Sequence, residues 1–219
     1  QIVPVNPIYT ERELGIVLAD ADPVIVVYDA SVANLVEPIA KRLGIAHQIC
    51  VGDGGRSLDA WRGDSSAEVP HVRPTPDDLA TLQYTGGTTG LPKGVNITHA
   101  QLSVNISQRE AAWPLREGDE RILCVMPLFH VFASSVCLHP AVYAQGTMVI
   151  LPRFHPGAVL DAIETQRITR LPAGPTILHG LMGFDGFKGR VPFGCFAEDL
   201  RCLGEGGCGR QGHDGESME

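Results

Sequence analysis

The first 172 residues of the chain alternate short apolar runs with stretches of helical spacing. The apolar runs predict strands at 24–28, 48–51, 79–84, 95–98, 121–125, 147–151 and 168–172. The helical spacings predict helices at 10–20, 34–43, 98–113, 130–144 and 156–166. Strands joined by helices of about 10 to 15 residues are typical of a parallel or mixed sheet. The sequence therefore predicts an α/β fold in which mixed or parallel sheets are flanked by helices.

Local signals refine three of these elements. Thr10 and Glu13 have the spacing of a capping box, so the first helix is expected to begin there. The run Val24–Tyr28 is continuous and rich in β-branched residues, which is typical of a strand buried on both faces. Thr98 is a candidate N-cap, which places the start of the third helix directly after a strand.

Two segments depart from the alternating pattern. Residues 52–78 are rich in glycine, aspartate, serine and proline, and we expect them to form a long surface connection. Residues 184–219 contain 9 of the 25 glycines and three of the six cysteines, and no helical or strand period follows Leu203. Such a segment buries too little apolar surface to offset its ordering entropy, so we predict a poorly ordered tail.

Composition narrows the class of protein. The 17 lysines and arginines against 25 aspartates and glutamates give a net charge of −8, which disfavours nucleic-acid binding because phosphate contacts need a basic face. No apolar run reaches the ~18 residues that a membrane helix needs, and no secretory leader opens the chain, which starts at Gln1. The expected protein is folded and cytoplasmic, with its cysteines as free thiols.

Residues 85–94 carry the strongest chemical signal in the sequence. This stretch holds four glycines, three threonines and one lysine directly after an apolar strand. Glycines let the backbone approach an anion closely, while threonine hydroxyls and the Lys93 ammonium offer further donors to phosphate oxygens. A plain hairpin turn is the alternative, but it needs only about two to five residues. The pattern is not a P-loop, because Leu91-Pro92 separates Gly90 from Lys93.

The segment Tyr84–Gly94 resembles the phosphate-binding signature of the adenylate-forming (AMP-binding) superfamily. That superfamily comprises acyl-CoA synthetases, luciferases and the adenylation domains of peptide synthetases. The Gly86-Gly87 pair is most similar to the branch of long-chain fatty-acid–CoA ligases, and Pro127–Phe132 is similar to a second core motif that lines the acyl pocket. Further similar segments lie at 6–14, 153–156 and 171–176.

The resemblance implies a division of the chain near residue 183. Residues 1–183 would form part of the large N-terminal domain of an adenylate-forming enzyme, and residues 184–219 would be a tail without family resemblance. Three later features of the family are not found in the sequence: a Tyr-Gly-x-Thr-Glu-like motif, a ribose-binding aspartate and a C-terminal domain with a catalytic lysine. A shifted reading frame near residue 184, a divergent tail and an artefact would each explain this loss.

The resemblance also implies a two-step reaction. A carboxylate, expected to be a long-chain fatty acid, attacks the α-phosphorus of ATP to give acyl-AMP and pyrophosphate, and the thiol of CoA then displaces AMP. The implied cofactors and co-substrates are ATP, Mg²⁺ and CoA, and no metal site built from protein side chains is predicted. The catalytic residues implied by position are His130 and Lys93. The nucleotide-binding residues implied are Thr85, Gly86, Gly87, Thr88, Thr89, Gly90, Lys93 and Gly94.

Several alternatives stay open at the level of sequence. The chain could be a truncated, catalytically inactive nucleotide-binding fragment or pseudogene product, or an unrelated kinase-like phosphate-binding domain. The expected partners are small molecules (fatty acid, ATP and CoA) and not nucleic acid, with peripheral contact to a membrane left open. The length of the acyl chain, the choice between alkyl and aryl acids and the oligomeric state cannot be read from the sequence.

Overall fold

The computed structural model describes residues 1–52, 72–86 and 92–187 of the chain. The chain divides into two compact units. The first unit comprises Gln1–Pro114 and Pro127–Ser135, and the second comprises Leu115–Met126 and Val136–Glu219. Most of the surface connection predicted over 52–78 lies outside the described residues, as does nearly all of the tail predicted over 184–219.

The described part of the first unit holds three long α-helices and two pairs of strands. Helices α1, α2 and α3 span Glu11–Ala21, Ala33–Leu43 and His99–Ala112. Strands β1, β2, β3 and β4 span Ile25–Asp29, His47–Val51, Leu79–Thr85 and Lys93–Thr98. Strands β1 and β2 are parallel, whereas β3 and β4 are antiparallel. These elements lie where the hydrophobic pattern predicts them, and they confirm a mixed α/β architecture.

Side-chain caps fix where two of these helices begin. The Thr10 hydroxyl accepts a hydrogen bond from the Glu13 backbone N–H, and the Glu13 carboxylate accepts one from the Thr10 N–H at 2.8 Å. Thr98 and Gln101 make the same reciprocal pair at the start of α3. These bonds satisfy backbone donors that have no partner inside a helix. The capping box predicted at Thr10 and the cap predicted at Thr98 are both confirmed.

The core of the first unit is formed by α1, α2 and the inner face of the β1–β2 pair. Its buried side chains are Leu14, Leu18, Tyr28, Val36, Ile39, Ala40, Ile45 and Cys50. The Tyr28 hydroxyl donates a hydrogen bond of 3.0 Å to the Glu37 carboxylate, which ties β1 to α2. Burial, followed by this hydrogen bond, raises the pKa of Tyr28 to about 12.

The prediction that β1 is buried on both faces is wrong. Val26 and Tyr28 pack on the core side, whereas the side chains of Ile25 and Val27 are 46% and 57% exposed. The β1–β2 pair is a two-stranded sheet, and within residues 1–52, 72–86 and 92–187 nothing covers the outer side of β1 at Ile25 and Val27, although their neighbour Ile49 on β2 is buried. A continuous apolar run shows that a strand can be buried on both faces. Whether both faces are buried depends on other elements of the fold, which the run does not specify.

The second unit is built around one parallel strand pair. Strands β5 and β6 span Arg121–Cys124 and Thr147–Ile150, and helices α4, α5 and α6 span His139–Tyr143, Pro156–Thr165 and Pro175–Met182. Its core comprises Leu123, Val125, Val159, Leu160, Ala162, Ile163, Ile168 and Leu181. Four of these eight side chains come from α5 and one, Leu123, from β5, so the helix and the first strand of this unit share one core.

Proline modifies two of the predicted elements. The helix predicted over 130–144 is confirmed as unbroken helical backbone over 131–143, but its middle segment, Ser134–Leu138, is π-helical and lies between a short turn at Val131–Ala133 and α4. Pro140 has no N–H to donate to the carbonyl four residues earlier, and its ring crowds that carbonyl. The strand predicted at 168–172 is reduced to one bridge between Arg170 and Ile122, because Pro172 cannot extend the ladder.

Helix α6 is absent from the elements that the hydrophobic pattern predicts. It begins at Pro175, directly after Gly174. Proline at the first position of a helix is a recognised start signal, because its missing N–H would have no partner there and its φ is already helical. The sequence Gly174-Pro175 therefore indicates the start of a helix, which the pattern of apolar residues alone does not show.

A buried carboxylate organises the start of β5. Glu120 is 3% exposed, and its oxygens accept hydrogen bonds from the Arg116 backbone N–H at 3.1 Å and from the Thr169 hydroxyl at 2.6 Å. The Arg170 guanidinium lies 3.5 Å from the same carboxylate. A buried charge is tolerated only when it is paired and hydrogen-bonded. This network holds residues 169 and 170 beside β5 even though they form no strand.

The described cysteines are free thiols, as the sequence predicts. They are Cys50, Cys124 and Cys137, and all three are buried. A hydrogen bond from the Cys137 thiol lowers the pKa of Cys124 to about 7, while burial acts in the opposite direction.

We expect Gly146→Ala to destabilise the second unit. A Cβ at Gly146 would lie 2.5 Å from the backbone carbonyl oxygen of Glu120, which is closer than real Cβ contacts allow. The two backbones must then separate, and the free energy of unfolding should fall by about 1–3 kcal/mol. Urea unfolding followed by far-ultraviolet circular dichroism measures the change.

The matched control for this variant is Gly183→Ala. A Cβ at Gly183 would meet the His179 carbonyl at an ordinary 3.4 Å, and this glycine has a helical φ of −81°. If Gly146→Ala proved as stable as Gly183→Ala, the close approach of Gly146 to Glu120 would be contradicted.

Candidate functional site

The antiparallel pair β3–β4 brings together the two ends of the glycine-rich segment. In its register Thr85 pairs with Lys93, and Tyr84 pairs with Gly94. The segment predicted as a loop over 85–94 therefore begins and ends inside the strands. Gly86 follows β3 directly, whereas four of the predicted binding residues lie outside the described residues. These four are Gly87, Thr88, Thr89 and Gly90.

The alternation of side chains gives the β3–β4 pair two different faces. Because opposite residues of an antiparallel pair share a face, Thr85 and Lys93 lie on the same face as Gln83. Tyr84 and Gly94 lie on the other face. Thr85 and Lys93 are exposed, whereas Gln83 and Tyr84 are each 8% exposed. The hydroxyl and the ammonium group that suit an anion therefore share one accessible face.

Tyr84 anchors the end of β3 to helix α1. Its hydroxyl donates a hydrogen bond of 2.6 Å to the carboxylate of Asp20. Burial, and then the hydrogen bond to Asp20, raises the pKa of Tyr84 well above its usual range. The residue directly before the glycine-rich segment is thus held on a helix that lies about 65 residues earlier in the sequence.

The packing of this second face favours glycine at position 94. A Cβ at Gly94 would lie 2.8 Å from Leu82 Cδ1 and 3.3 Å from the Tyr84 ring. The side chains of Leu82 and Tyr84 therefore cover Gly94, and a side chain at position 94 would push them away. This steric role is independent of the nucleotide contact that the resemblance implies for Gly94, which stays a prediction.

Lys93 provides the positive charge at the site. It is the first residue of β4, its backbone is held by pairing with Thr85, and it is exposed. None of the ion pairs among the described residues involves Lys93. Apart from the chain neighbours of Gly86, no heavy atom of the described residues lies within 4 Å of where a Cβ on Gly86 would stand. A lysine anchored in this way presents a localised charge that suits phosphate oxygens.

His130 is oriented by its own backbone surroundings. Its Nδ1 accepts a hydrogen bond of 3.2 Å from the Phe132 backbone N–H, so the side chain caps the short turn that follows. A neutral imidazole whose Nδ1 is an acceptor carries its proton on Nε2. The ring is exposed, and its Nε2–H is the donor that it can offer to an anionic oxygen.

Gln83 connects the strand before the glycine-rich segment to the segment that contains His130. Its side-chain amide donates a hydrogen bond of 2.8 Å to the backbone carbonyl of Phe129, 46 residues later in the chain. This contact lies within the first unit and on the face that carries Thr85 and Lys93. The structure therefore associates the two motifs that the sequence analysis identified separately.

The hydrophobic pattern and the motifs do not identify two residues that support this site, Gln83 and Asp20. Gln83 stands as a polar residue inside an apolar strand, which is itself a signal, since a buried amide needs a partner. The partner of Tyr84 could not be found in this way, because Asp20 lies at the exposed end of a helix and nothing in its surroundings marks it.

The profile of the AMP-binding enzyme family matches residues 1–207 of the chain. The chain belongs to this family. The resemblance identified from Tyr84–Gly94 is thereby confirmed. The division predicted near residue 183 stays a prediction, and the matched range extends beyond it.

The curated relatives of this AMP-binding chain include CoA ligases with different acids in their names. A long-chain-fatty-acid–CoA ligase of Bacillus subtilis is 31% identical over 216 residues, which cover 83% of this chain and 38% of that protein. The 4-coumarate–CoA ligase 3 of Oryza sativa subsp. japonica is 33% identical over 183 residues, which cover 79% of this chain and 32% of that protein. The chain spans about a third of the length of these relatives.

Solved structures give the same picture of the fold. The inhibitor-bound N-terminal domain of FACL13 from Mycobacterium tuberculosis matches with a TM-score of 0.75 at 28% identity, covering 86% of this chain and 47% of that chain. ATP-bound MatB from Rhodopseudomonas palustris matches with a TM-score of 0.72 at 32% identity, covering 84% and 36%. The predicted fold class, part of the N-terminal domain of an adenylate-forming enzyme, is confirmed.

The other described side chains form no metal-binding cluster. His155 caps α5 by accepting a hydrogen bond of 3.4 Å from the Ala158 N–H. Over residues 1–52, 72–86 and 92–187, no three histidine, cysteine, aspartate or glutamate side chains are grouped to hold a metal ion. Nor does any helix in these ranges have the length and apolarity to cross a membrane.

We expect the Tyr84 and Asp20 side chains to be energetically coupled. Removing the hydroxyl with Tyr84→Phe deletes a hydrogen bond between a buried donor and a carboxylate at the surface, so the coupling should be about 1 kcal/mol. A double-mutant cycle with Asp20→Ala, followed by urea unfolding, measures it. Additive effects of the two single substitutions would contradict the contact.

The raised pKa of Tyr84 gives this contact a pH dependence. A group whose pKa is raised by folding contributes stability that is complete below its unfolded value of about 10 and is lost as the pH rises beyond it. The free energy of unfolding of the wild type should therefore decline above about pH 10. The free energy of unfolding of Tyr84→Phe should decline less steeply with pH. The slope that remains includes the contribution of Tyr28, whose pKa is also raised. Equal slopes in both proteins would count against a buried phenol at position 84.

Proposed function

We propose that this protein activates a carboxylic acid with ATP and transfers the acyl group to CoA. In the first step a carboxylate oxygen bonds to the α-phosphorus while the bond to the β-phosphate oxygen breaks, which gives acyl-AMP and pyrophosphate. In the second step the sulfur of CoA bonds to the acyl carbon, AMP leaves, and the thiol proton is released. The observation that carries the proposal is the pairing of Thr85 with Lys93 on one face, which the Gln83–Phe129 contact joins to the His130 segment.

Lys93 and the glycine-rich segment would bind the phosphates in the first step. That step joins two anions, so its main physical requirement is compensation of the charge that develops on the phosphate oxygens. The Lys93 ammonium and the Thr85 hydroxyl stand at the base of the segment, where they would contact the departing pyrophosphate. Gly86, Gly87, Thr88, Thr89, Gly90 and Gly94 belong to the same proposed phosphate site.

His130 would orient the attacking carboxylate. Its Nδ1 is engaged by the Phe132 N–H, so the group that it offers to substrate is the Nε2–H donor. A neutral donor can hold a carboxylate oxygen by a hydrogen bond and leave the lone pairs of the other oxygen free to attack. This role needs no proton transfer, and it places His130 at the carboxylate and α-phosphate end of the site.

The proposed acid is a long-chain fatty acid. The support is the Gly86-Gly87 form of the signature together with the relative from Bacillus subtilis, which is named as a long-chain-fatty-acid–CoA ligase. ATP would enter with the Mg²⁺ that its phosphates carry. The same proposal includes a division of the chain into a domain over 1–183 and a tail over 184–219. It also includes a cytoplasmic location, with or without peripheral contact to a membrane.

The second candidate function is phosphate binding without turnover. The observation that favours it is that the groups described at this site, the exposed Lys93 ammonium and the Thr85 hydroxyl, suit a phosphate anion whether or not a reaction follows. Fatty-acid-dependent exchange of pyrophosphate into ATP separates the two candidates, because only an enzyme that completes the first step catalyses it. Palmitate and 4-coumarate, compared as acids in this assay, distinguish the proposed substrate from an aryl acid.

We expect Lys93→Met to weaken the binding of ATP by about 10- to 100-fold. The substitution keeps an unbranched side chain and removes the charge, which amounts to losing one charge-assisted hydrogen bond of about 1.5–3 kcal/mol. Isothermal titration calorimetry of the 219-residue chain with ATP in the presence of Mg²⁺ measures the dissociation constant.

Lys41→Met is the matched control for this experiment. Lys41 is an exposed lysine in the last turn of α2, so its loss changes the net charge equally without touching the β3–β4 pair. Lys93→Arg should recover part of the affinity, because it restores the charge. Equal ATP affinity in the wild type and in Lys93→Met would refute a phosphate site at this position.

A further inference from the structure

Gln83 has a buried side chain that the phosphate-binding role of its strand leaves unexplained. It is 8% exposed, and its amide donates to the Phe129 carbonyl at 2.8 Å. The pairing of β3 with β4 is made by backbone groups and needs no amide at this position. An apolar side chain of similar volume would fill the same space without the desolvation cost of a buried amide. Packing alone therefore does not explain the hydrogen bond from the Gln83 amide to the Phe129 carbonyl.

The Gln83 amide holds one half of a single peptide group. The carbonyl of Phe129 and the N–H of His130 belong to the same planar unit. Gln83 donates to the carbonyl, and the N–H donates to the Pro127 carbonyl at 3.0 Å. With both polar groups of the unit engaged, its plane cannot rotate without breaking one of the two bonds. The direction in which the chain enters His130 is therefore fixed.

The imidazole of His130 is fixed in turn from the other side. Its Nδ1 accepts from the Phe132 N–H at 3.2 Å, and its backbone carbonyl accepts from the Ser134 N–H at 3.2 Å. Gln83 thus controls the peptide that enters His130, while the turn that follows controls the ring. These contacts form a continuous path from β3 to the Nε2–H of His130.

The same strand residue lies close to the proposed phosphate site. Gln83 is two residues before Thr85, and side chains two residues apart on a strand share a face and are about 7 Å apart. Lys93 is opposite Thr85 on that face. A displacement of Gln83 along the strand would therefore change the distance between the phosphate site and His130.

We propose that Gln83 is a positioning residue, whose amide holds the Phe129–His130 peptide so that the His130 ring stands at a fixed distance from phosphates bound beside Thr85 and Lys93. The inference rests on the proposed function, because it assigns Gln83 a purpose only if those phosphates bind. Gln83 acts through His130 and does not itself contact substrate.

The test compares Gln83→Met with the wild type in the 219-residue chain. Methionine keeps the length of the side chain and removes the donor. The first readout is the dissociation constant for ATP with Mg²⁺, which should stay within about threefold of the wild type because Lys93 and Thr85 are intact. The second is the Cε1–H resonance of His130, assigned with His130→Gln in a histidine-labelled sample. We expect ATP to shift this resonance in the wild type and to shift it by less than half as much in Gln83→Met.

Gln48→Met is the matched control, because Gln48 is a partly exposed glutamine of β2 in the same unit. It should leave the response of His130 unchanged. Gln83→Glu is the second variant: it has nearly the same shape, but at pH 8 an ionised carboxylate cannot donate to the Phe129 carbonyl. It should reduce the response of His130 as Gln83→Met does.

The outcomes separate this inference from the proposed function. If the wild type does not bind ATP, the proposed function fails. If the wild type binds ATP but His130 responds equally in the wild type and in a folded Gln83 variant, the inference fails and the proposed function stands. If circular dichroism shows that neither Gln83 variant folds, the residue is needed for folding and the positioning role is rejected.

Discussion

The register that sets Thr85 opposite Lys93 is the constraint on which the candidate site depends. A glycine-rich connection loses much conformational entropy when it closes around an anion. Pairing of β3 with β4 fixes both ends of that connection in advance, so less remains to be ordered when a ligand binds. A slip of one residue would also move the Lys93 side chain to the opposite face. The position of the charge is therefore a property of backbone pairing and not of the lysine alone.

This register is protected from both faces of the sheet. Tyr84 is bonded to Asp20 of α1 on one face, and Gln83 is bonded to the Phe129 carbonyl on the other. Because the two are consecutive residues, the strand cannot slide or twist at this point without breaking a contact on each side. Gly94 completes the arrangement, since a side chain there would press on Leu82 and the Tyr84 ring. The end of β3 is thus held firmly by contacts on both of its faces.

The elements and the chemistry of the site could be predicted from the sequence, but not the long-range contacts that position it. The signature at 85–94 and the capping box at Thr10 depend on residues close in sequence, so they can be read directly. The exposure of Ile25 and Val27 depends on what covers the β1–β2 sheet, and a β-branched run does not carry that information. The π-helical segment inside the helix predicted over 130–144 has a local cause in Pro140, which the spacing of apolar residues does not indicate.

The charge of the chain indicates how such a site selects its ligand. A net charge of −8 does not attract nucleotides over long distances, and at physiological salt charges are screened beyond roughly 8 Å. Under the proposed function, anion binding would therefore come from groups in direct contact: the Lys93 ammonium, the Thr85 hydroxyl, the backbone amides of the glycine-rich segment and the Nε2–H of His130. Contacts of this kind are effective only when the donors are held in place before the ligand arrives. The hydrogen bonds of Gln83 and Tyr84 would therefore serve the site by fixing where these donors stand, while the Lys93 charge would supply most of the affinity for the phosphates.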